Sequence, residues 1–370
     1  MKIVFFALSF LLVFTPLVSA SDEPCMVTQA VPDENADVVT LNADCISNGL
    51  WTGVAVLVGT PGKVVFRKAL GWMDREKTVP MRVDAIFDLA SVTKAVGATT
   101  AIAICVDRGL INPDMVFTNY LSAYRGMLKG PVTVRDLSRH ISGFDNSKPY
   151  DREGQVTGLI LDFSPVWMAG ERYHYSCANY ILLGLIVEQV SGKNIADFCR
   201  ENIFDPLGMR DTQWAPLPNP DTNRVVRQAA TQTMGVASDP PARNAGHPLG
   251  NAGLFSTVDD LGVFCRMMLA CGQNGEKRIL SEKAVRMLGT RPDKRSPVSF
   301  GWRADPEYNP PSLSEATISH TGWAGNSVWI DPERNCYAVV LANRMGDNGK
   351  AAKARMELAE FVLKTMKNVN

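Results

Sequence analysis

A serine and a lysine three residues apart, Ser91 and Lys94, have the types and the spacing that nucleophilic catalysis requires. They precede a stretch, 95–108, whose composition predicts a helix. Side chains three residues apart lie on the same helix face, so the amine can accept the hydroxyl proton and make the serine a better nucleophile. The alternative is an N-cap serine beside a solvated lysine, which the four-residue pattern alone does not exclude.

Two later segments supply further groups for the same chemistry. Tyr175, in a Tyr-Ser-Cys sequence, carries a phenol that can relay protons. A His-Thr-Gly-Trp sequence at 320–323 follows one predicted strand and precedes another. Its Gly322 permits close backbone approach, and backbone N–H groups can stabilise developing negative charge. The alternatives are a core aromatic at Tyr175 and a packed strand-end histidine at His320.

The composition excludes several classes of function. The chain has 370 residues, and its 38 basic and 38 acidic side chains leave no formal net charge. Nothing in that balance attracts nucleic acid or an anionic membrane. The four histidines are scattered, and neither Cys-x-x-Cys nor His-Glu-x-x-His occurs. We therefore expect no metal site and no cofactor.

The first twenty residues have the composition of a secretory signal. Lys2 is followed by an apolar stretch at 3–18 and by the small-residue sequence Val-Ser-Ala at 18–20. The stretch falls short of the roughly 20 residues that span a bilayer, which disfavours a membrane anchor. We expect cleavage after Ala20, export to the periplasm or the medium, and no membrane association afterwards.

Export would allow disulfide formation. Cys25 and Cys45 are the first candidate pair, because both lie in an N-terminal segment expected to be irregular. Cys105, Cys199 and Cys336 stand among apolar residues, which favours buried free thiols.

Strand patterns open and close the chain, and helical patterns lie between them. Predicted strands are 52–59, 63–71, 298–302, 316–320, 327–331 and 336–343, and predicted helices include 95–108, one opened by the N-cap Thr133, 179–192, 194–203, 257–271 and 349–367. This order predicts an α+β fold, with one antiparallel sheet formed from both chain ends and flanked by helices. After a leader at 21–45, we expect a sheet domain at 46–110 and 245–370 and a mainly helical inserted domain at 111–244.

The chain resembles the serine hydrolases that include class C β-lactamases, D-alanyl-D-alanine carboxypeptidases (penicillin-binding proteins) and β-lactamase-fold esterases. The resemblance runs from about residue 45 to about residue 365. Besides the three motifs, it rests on the stretches at 135–143, 179–184, 203–209, 252–257 and 329–333. It implies the α+β fold of that family.

The resemblance also implies a role for each catalytic residue. Ser91 would be the acylated nucleophile, and burial with a neighbouring positive field would keep Lys94 close to neutral. Tyr175 would pass the proton to the leaving group. The backbone N–H groups of Ser91 and Trp323 would form the oxyanion hole.

Substrate-binding residues follow from the same resemblance: Cys177, His320, Thr321, Gly322 and Gly253. Two of them depart from the usual family motifs. Cys177 replaces an asparagine that holds an amide carbonyl, and a thiol is a weak hydrogen-bonding group. His320 replaces a lysine, and a histidine of ordinary pKa carries only part of a positive charge at neutral pH.

Three tryptophans, Trp302, Trp323 and Trp329, could form an aromatic wall around an acyl group or could pack against the sheet. His140 and His174 are expected to be structural.

We therefore predict an exported serine hydrolase that forms an acyl-enzyme with an ester or a peptide-like amide. A peptidoglycan stem peptide is one candidate substrate, and esterase or D-amino-acid peptidase activity ranks above β-lactamase activity. The alternative from another class is a non-catalytic protein that holds peptidoglycan fragments. An α/β-hydrolase is disfavoured because no Gly-x-Ser-x-Gly sequence occurs.

Overall fold

A central antiparallel sheet joins the two ends of the chain. The computed structural model describes residues 36–146, 150–218 and 223–367. Its strands are β1 (Trp51–Thr60), β2 (Lys63–Gly71), β3 (Phe87–Asp88), β4 (Gln213–Trp214), β5 (Leu254–Ser256), β6 (Gln273–Asn274), β7 (Lys277–Arg278), β8 (Ile318–Gly322), β9 (Asn326–Asp331) and β10 (Cys336–Arg344). The main sheet has the order β2-β1-β10-β9-β8. The predicted α+β architecture is confirmed.

Helices cover the sheet and form most of the regular structure in the middle of the chain. They are α1 (Ala36–Ser47), α2 (Thr100–Asp107), α3 (Val134–Ser138), α4 (Val156–Leu161), α5 (Cys177–Ser191), α6 (Ile195–Cys199), α7 (Asp205–Leu207), α8 (Pro240–Asn244), α9 (Val258–Leu269), α10 (Glu282–Gly289) and α11 (Asn348–Lys367). Lys94–Thr99 and Arg200–Phe204 are π-helical, and Phe117–Asn119 and Pro306–Tyr308 are 3-10 turns.

Local sequence signals explain several helix ends. Thr133 caps α3 in a reciprocal capping box with Asp136. Thr257 caps α9 by accepting from the Asp260 N–H. Gly192 ends α5 with φ 70°, a left-handed conformation that glycine adopts at low cost.

The main sheet is buried on both faces, so β1 and β10 are almost wholly apolar. Alternate side chains of a strand point to opposite faces. Ala55 and Leu57 belong to the larger core, which also contains the apolar residues of α2, α5 and α9. Val54 and Val56 belong to a second core, shared with α1 and α11. Because both faces of the sheet pack in a hydrophobic core, the sheet holds the end of β8 in a fixed position.

Three sequence predictions need correction or lie beyond the described residues. Residues 36–45 belong to α1 rather than to an irregular leader, because their apolar side chains pack in the core shared with α11. Val298 forms only an isolated bridge with Arg303 instead of the strand predicted at 298–302. The signal sequence at 1–20 and Cys25 lie outside the described residues, so cleavage and the Cys25–Cys45 pair stay predictions.

Cys45 lies buried within α1, and burial raises the pKa of its thiol to about 11. Cys105, Cys199 and Cys336 are buried free thiols, as predicted. The division into two domains stays a prediction, although residues from both parts share the larger core. Within the described ranges, no helix has the length and apolarity needed to cross a membrane.

Candidate active site

Ser91 follows a tightly held turn between β3 and the π-helix at Lys94–Thr99. Ala90 has φ 45°, an unusual left-handed conformation for a residue with a Cβ. The buried carboxylate of Asp88 stabilises this turn, since Oδ1 accepts from the Ala90 N–H over 2.8 Å and Oδ2 from the Ser238 N–H over 2.7 Å. The strained turn therefore fixes the backbone directly before the candidate nucleophile.

Lys94 lies fully buried behind Ser91. Its Nζ donates to Ser91 Oγ over 3.0 Å and to the Asn251 carbonyl over 2.8 Å. The predicted contact between hydroxyl and amine is present. The Asn251 contact uses a backbone oxygen, which no side-chain pattern reveals in advance.

The expected neutral state of Lys94 is not supported. Burial lowers the pKa of Lys94, but interactions with Cys177, Tyr175 and Asp239 outweigh burial and raise that pKa above its ordinary value. A raised pKa favours the cationic form of the resting lysine.

Tyr175 lies next to Ser91 and Lys94 in the cavity. Lys94 Nζ lies 5.1 Å from the centroid of its ring. Burial raises the pKa of Tyr175, although Lys94 and hydrogen bonds to Lys94 and Ser91 oppose the shift. Asn146 holds the segment by donating to the Tyr175 carbonyl over 2.8 Å and accepting from the Cys177 N–H over 2.9 Å. Hydroxyl, amine and phenol are thus brought together from distant parts of the sequence.

His140, which the sequence analysis treated as structural, lines the same cavity. Its ring packs against Tyr175 with centroids 4.5 Å apart. Nδ1 accepts from the Ser176 N–H over 3.1 Å, and burial and the nearby Lys94 lower the pKa of His140 well below its usual range. His140 lies in the stretch 135–143, which resembles the family, and that resemblance could have indicated a role at the site.

The end of β8 approaches the turn before Ser91 very closely. A Cβ built on Gly322 would lie 2.4 Å from the carbonyl oxygen of Leu89, so only glycine fits there. In the described part of the chain, the N–H groups of Ser91 and Trp323 donate to no other backbone group. Both are therefore available to an oxyanion, and their assignment as the oxyanion hole stays a prediction.

His320 is neutral rather than partly charged. Burial and the charge on Lys94 lower its pKa to about 3. Its Nδ1 lies 2.9 Å from the Thr321 carbonyl oxygen, which can only accept, so Nδ1 carries the proton. The lowered pKa disfavours the partial positive charge that was expected at this position.

A cavity of about 920 Å³ opens onto these groups. Six of the predicted site residues line it: Ser91, Tyr175, Cys177, His320, Thr321 and Trp323. The lining includes Ala252 but neither Gly253 nor Gly322, and the assignment of these two glycines to substrate binding stays a prediction. Of the three tryptophans, Trp323 is 44% exposed, whereas Trp302 and Trp329 are buried.

Three arginines that belong to none of the sequence motifs line the cavity. Arg243, Arg303 and Arg355 contribute to its walls together with one acidic residue, Asp239. Arg303 lies over the ring of Tyr308, 4.1 Å from its centroid. The cavity therefore has a cationic character that the zero net charge of the chain conceals. Within the described residues, no cluster of three or more His, Cys, Asp or Glu side chains could hold a metal ion.

Comparison with known proteins identifies the family to which this chain belongs. The beta-lactamase family model matches residues 42–363. A protein of Escherichia coli O157:H7 with the provisional name D-alanyl-D-alanine carboxypeptidase is 28% identical over 344 residues, which cover 80% of this chain and 79% of that protein. The hydrolase EstCE1, described as having promiscuous acyltransferase activity, superposes with a TM-score of 0.73 at 21% identity, over 88% of this chain and 97% of that one.

A penicillin-binding protein homologue from Caulobacter crescentus has a TM-score of 0.72 at 20% identity, over 90% of this chain and 98% of that one. A family VIII carboxylesterase has a TM-score of 0.67 at 19% identity, over 88% of this chain and 96% of that one. At these identities, the solved structures share the fold with this chain.

Proposed function

Because this chain belongs to the beta-lactamase family of serine hydrolases, we propose that it hydrolyses esters or peptide-like amides through an acyl-enzyme on Ser91. The observation that carries the proposal is the convergence of three groups. Lys94 donates to Ser91 Oγ over 3.0 Å, and its Nζ lies 5.1 Å from the centroid of the Tyr175 ring. This arrangement supports a serine nucleophile with an adjacent proton carrier.

Acylation requires the Lys94–Tyr175 pair to have lost one proton. Ser91 Oγ attacks the substrate carbonyl carbon while the pair accepts the hydroxyl proton, and a tetrahedral oxyanion forms. The bond to the leaving group then breaks, and the pair returns the proton to the leaving oxygen or nitrogen. In the second step water attacks the acyl-serine ester, the pair takes a proton from the water, and Ser91 recovers it as the acid departs.

Two backbone donors would stabilise the oxyanion in both steps. The N–H groups of Ser91 and Trp323 fit this role, because the turn before Ser91 and the end of β8 are held together by the Gly322–Leu89 contact. Donors fixed before the reaction need no reorganisation when charge develops. Removing one such donor typically costs about 10²–10³ in kcat.

We rank esters above amides as substrates. Cys177 lines the cavity and offers only a weak hydrogen-bonding group for an amide carbonyl. Neutral His320 cannot supply the cation of a lysine. Esterase or D-amino-acid peptidase activity therefore ranks above β-lactamase activity, with a cell-wall stem peptide as one candidate substrate. The N-terminal signal pattern supports export to the periplasm or the medium.

A substrate panel tests the proposal. The mature protein is assayed with p-nitrophenyl esters, D-alanyl-D-alanine peptides and nitrocefin, beside Ser91→Ala and a control, Ser122→Ala, at an exposed serine. We expect ester turnover in the wild type and the control and a loss of at least about 10³-fold in Ser91→Ala. Turnover that survives Ser91→Ala contradicts the proposal, and no turnover of any substrate favours the binding-protein alternative.

A further inference from the structure

Two histidine rings line the catalytic cavity, and their hydrogen-bond partners give them opposite tautomers. In His140, Nδ1 accepts from the Ser176 N–H and from the side-chain amide of Asn179, both over 3.1 Å. The orientation of that amide is fixed, because Asn179 Oδ1 accepts from Ser142 Oγ. A ring nitrogen that accepts hydrogen bonds carries no proton, so the proton of the neutral His140 ring is on Nε2.

His320 carries its proton on the other nitrogen. Its Nδ1 donates to the Thr321 carbonyl oxygen, 2.9 Å away, which leaves a lone pair on Nε2. Burial and the charge on Lys94 lower the pKa of both rings, to about 3 in His320 and well below the usual range in His140. Both rings are therefore neutral at physiological pH, and the cavity wall contains one Nε2–H donor and one Nε2 acceptor.

Both Nε2 atoms are free to meet a ligand. In the part of the chain that the structure describes, neither has a hydrogen-bond partner, and neither belongs to the polar atoms that are shut off from solvent without one. His140 lies between the rings of Tyr175 and Tyr180, with centroids 4.5 and 5.1 Å away and interplanar angles of 31° and 37°. An imidazole N–H lies in the plane of its ring, so these stacked neighbours leave the Nε2 edge unobstructed.

A group that uses both nitrogens must accept one hydrogen bond and donate another. A hydroxyl does so from a single oxygen atom, whereas a carboxylate only accepts and an ammonium only donates. The ammonium is disfavoured further by Lys94 and Arg303, whose charges act on His320. A secondary amide has one donor and one acceptor on separate atoms, but Cys177 gives the cavity only a weak group for an amide carbonyl. A hydroxyl therefore fits the two histidines best.

We propose that His140 and His320 form a hydroxyl-binding subsite in the wall of the catalytic cavity, and that the substrate is an ester that carries a hydroxyl group. The hydroxyl oxygen accepts from His140 Nε2–H and donates its own hydrogen to His320 Nε2. The hydroxyl belongs to the acyl chain or to the alcohol part of the ester. The substrate class rests on the proposed hydrolase function, whereas the tautomers and the binding of a hydroxyl do not.

NMR of the imidazole nitrogens tests the subsite without any need for activity. The Ser91→Ala protein is labelled with ¹⁵N in its histidines, and the ring signals are assigned with His140→Phe and His320→Phe. At pH 7 we expect the proton on Nε2 in His140 and on Nδ1 in His320. A charged ring at either position, or the same tautomer in both, overturns the proposal.

The same spectra then report binding. Methyl 3-hydroxybutyrate should shift the Nε2 signals of both rings, and methyl 3-methoxybutyrate, which has no hydrogen to donate, should shift them far less. His247 is the internal control, because it lines a separate cavity and both its nitrogens have partners within the chain. N-methylacetamide is the amide probe. Unchanged His140 and His320 signals with the hydroxy ester, or a response to the amide alone, overturns the proposal.

Paired esters then identify which part of the substrate carries the hydroxyl. One pair is p-nitrophenyl 3-hydroxybutyrate and 3-methoxybutyrate, and the other is 2-hydroxyethyl and 2-methoxyethyl butyrate. The ratio of kcat/KM is taken within each protein, so that losses from misfolding cancel. We expect a preference of about tenfold for the hydroxyl compound in one pair. His320→Phe should abolish it, and His174→Phe, whose ring packs on Trp167 outside the cavity lining, should keep it. Equal kcat/KM within both pairs would contradict the substrate class.

The two proposals fail separately. If no ester is hydrolysed, the hydrolase function is wrong, and the NMR titration still decides the subsite. His140→Phe removes the acceptor of the Ser176 N–H and can prevent folding. In that case His320→Phe supplies the second variant, since a hydroxyl that loses one of its two partners should no longer shift the His140 Nε2 signal to the same extent. An unchanged shift of that signal in His320→Phe overturns the pairing of the two rings.

Discussion

Gly322 and Leu89 are in such close contact that a Cβ on Gly322 would lie 2.4 Å from the Leu89 carbonyl oxygen. The two residues belong to the end of β8 and to the turn before Ser91, which are more than 200 positions apart in the sequence. Their contact packs the turn before Ser91 against β8, at the edge of the main sheet. The geometry of the reaction centre therefore depends on a position where a side chain has no room.

Replacing Gly322 by alanine should damage catalysis. The added methyl group forces the end of β8 away from Leu89, and misplacement of a catalytic group by about 1 Å can cost about 10²-fold in rate. We expect kcat/KM for a neutral ester to fall by about that factor. Gly62→Ala is the matched control, because a Cβ at Gly62 meets nothing within 4 Å. Equal activity in both variants would show that the contact does not determine the geometry of the active site.

Tyr175→Phe should lower kcat by about 10²–10⁴, the range that positioned proton transfer contributes. The Tyr175 ring lies beside Lys94, whose Nζ is 5.1 Å from the ring centroid, so the phenol can carry a proton between this pair and the leaving group. Steady-state kinetics with an ester check this, with Tyr120→Phe, outside the cavity, as the control. A kcat within a factor of two of the wild type would remove Tyr175 from the mechanism.

Ester hydrolysis should rise with pH through the neutral range. The pKa values of both Lys94 and Tyr175 lie above their ordinary values, so both groups hold their protons at pH 7. The reactive form has one proton fewer, and its population grows about tenfold per pH unit below the apparent pKa of the pair. A profile of log kcat/KM against pH from 5 to 10 measures the slope.

The same profile tests the state of His320. Its pKa of about 3 leaves the ring neutral throughout that range, so we expect no inflection near pH 6.5. The profile of His320→Gln should therefore have the same shape. An inflection near 6.5 that disappears in His320→Gln, or a plateau reached below pH 7, would contradict the assigned protonation states.

Cys177→Asn should shift the preference of the enzyme toward amides. An asparagine at this cavity-lining position restores a strong donor for a substrate amide carbonyl. We expect the ratio of amide or β-lactam turnover to ester turnover to rise about tenfold, in line with one added hydrogen bond in a buried site. The exposed Cys271, replaced by asparagine, is the control. An unchanged ratio would mean that the thiol does not limit amide substrates.

The sequence predicted the sheet, and it identified the three candidate catalytic side chains, because each has a local signature. Apolar and β-branched composition marked β1, β2, β9 and β10, and the Ser-x-x-Lys spacing marked Ser91 and Lys94. Thr133 was predicted as a cap, and the structure adds its reciprocal bond with Asp136. These features depend on residues that are near one another in the chain.

The features that were not predicted depend on contacts between residues that are far apart in the sequence. The charge states of Lys94 and His320 follow from burial and from groups brought close by folding. The Asn251 carbonyl beside Lys94 belongs to the backbone and has no residue signature. Buried side-chain nitrogens of Arg344 and Arg355 have no hydrogen-bond partner among the described residues, which becomes known only from the folded structure. A linear pattern contains none of this information.

Covalent labelling shows which residue is the nucleophile. The purified protein is incubated with a fluorophosphonate and, separately, with a fluorescent penicillin, and its intact mass is measured before the modified peptide is sequenced. We expect a single fluorophosphonate adduct on Ser91 that is absent from Ser91→Ala. An adduct that persists in Ser91→Ala, or one that maps to another residue, would contradict the assignment of Ser91 as the nucleophile.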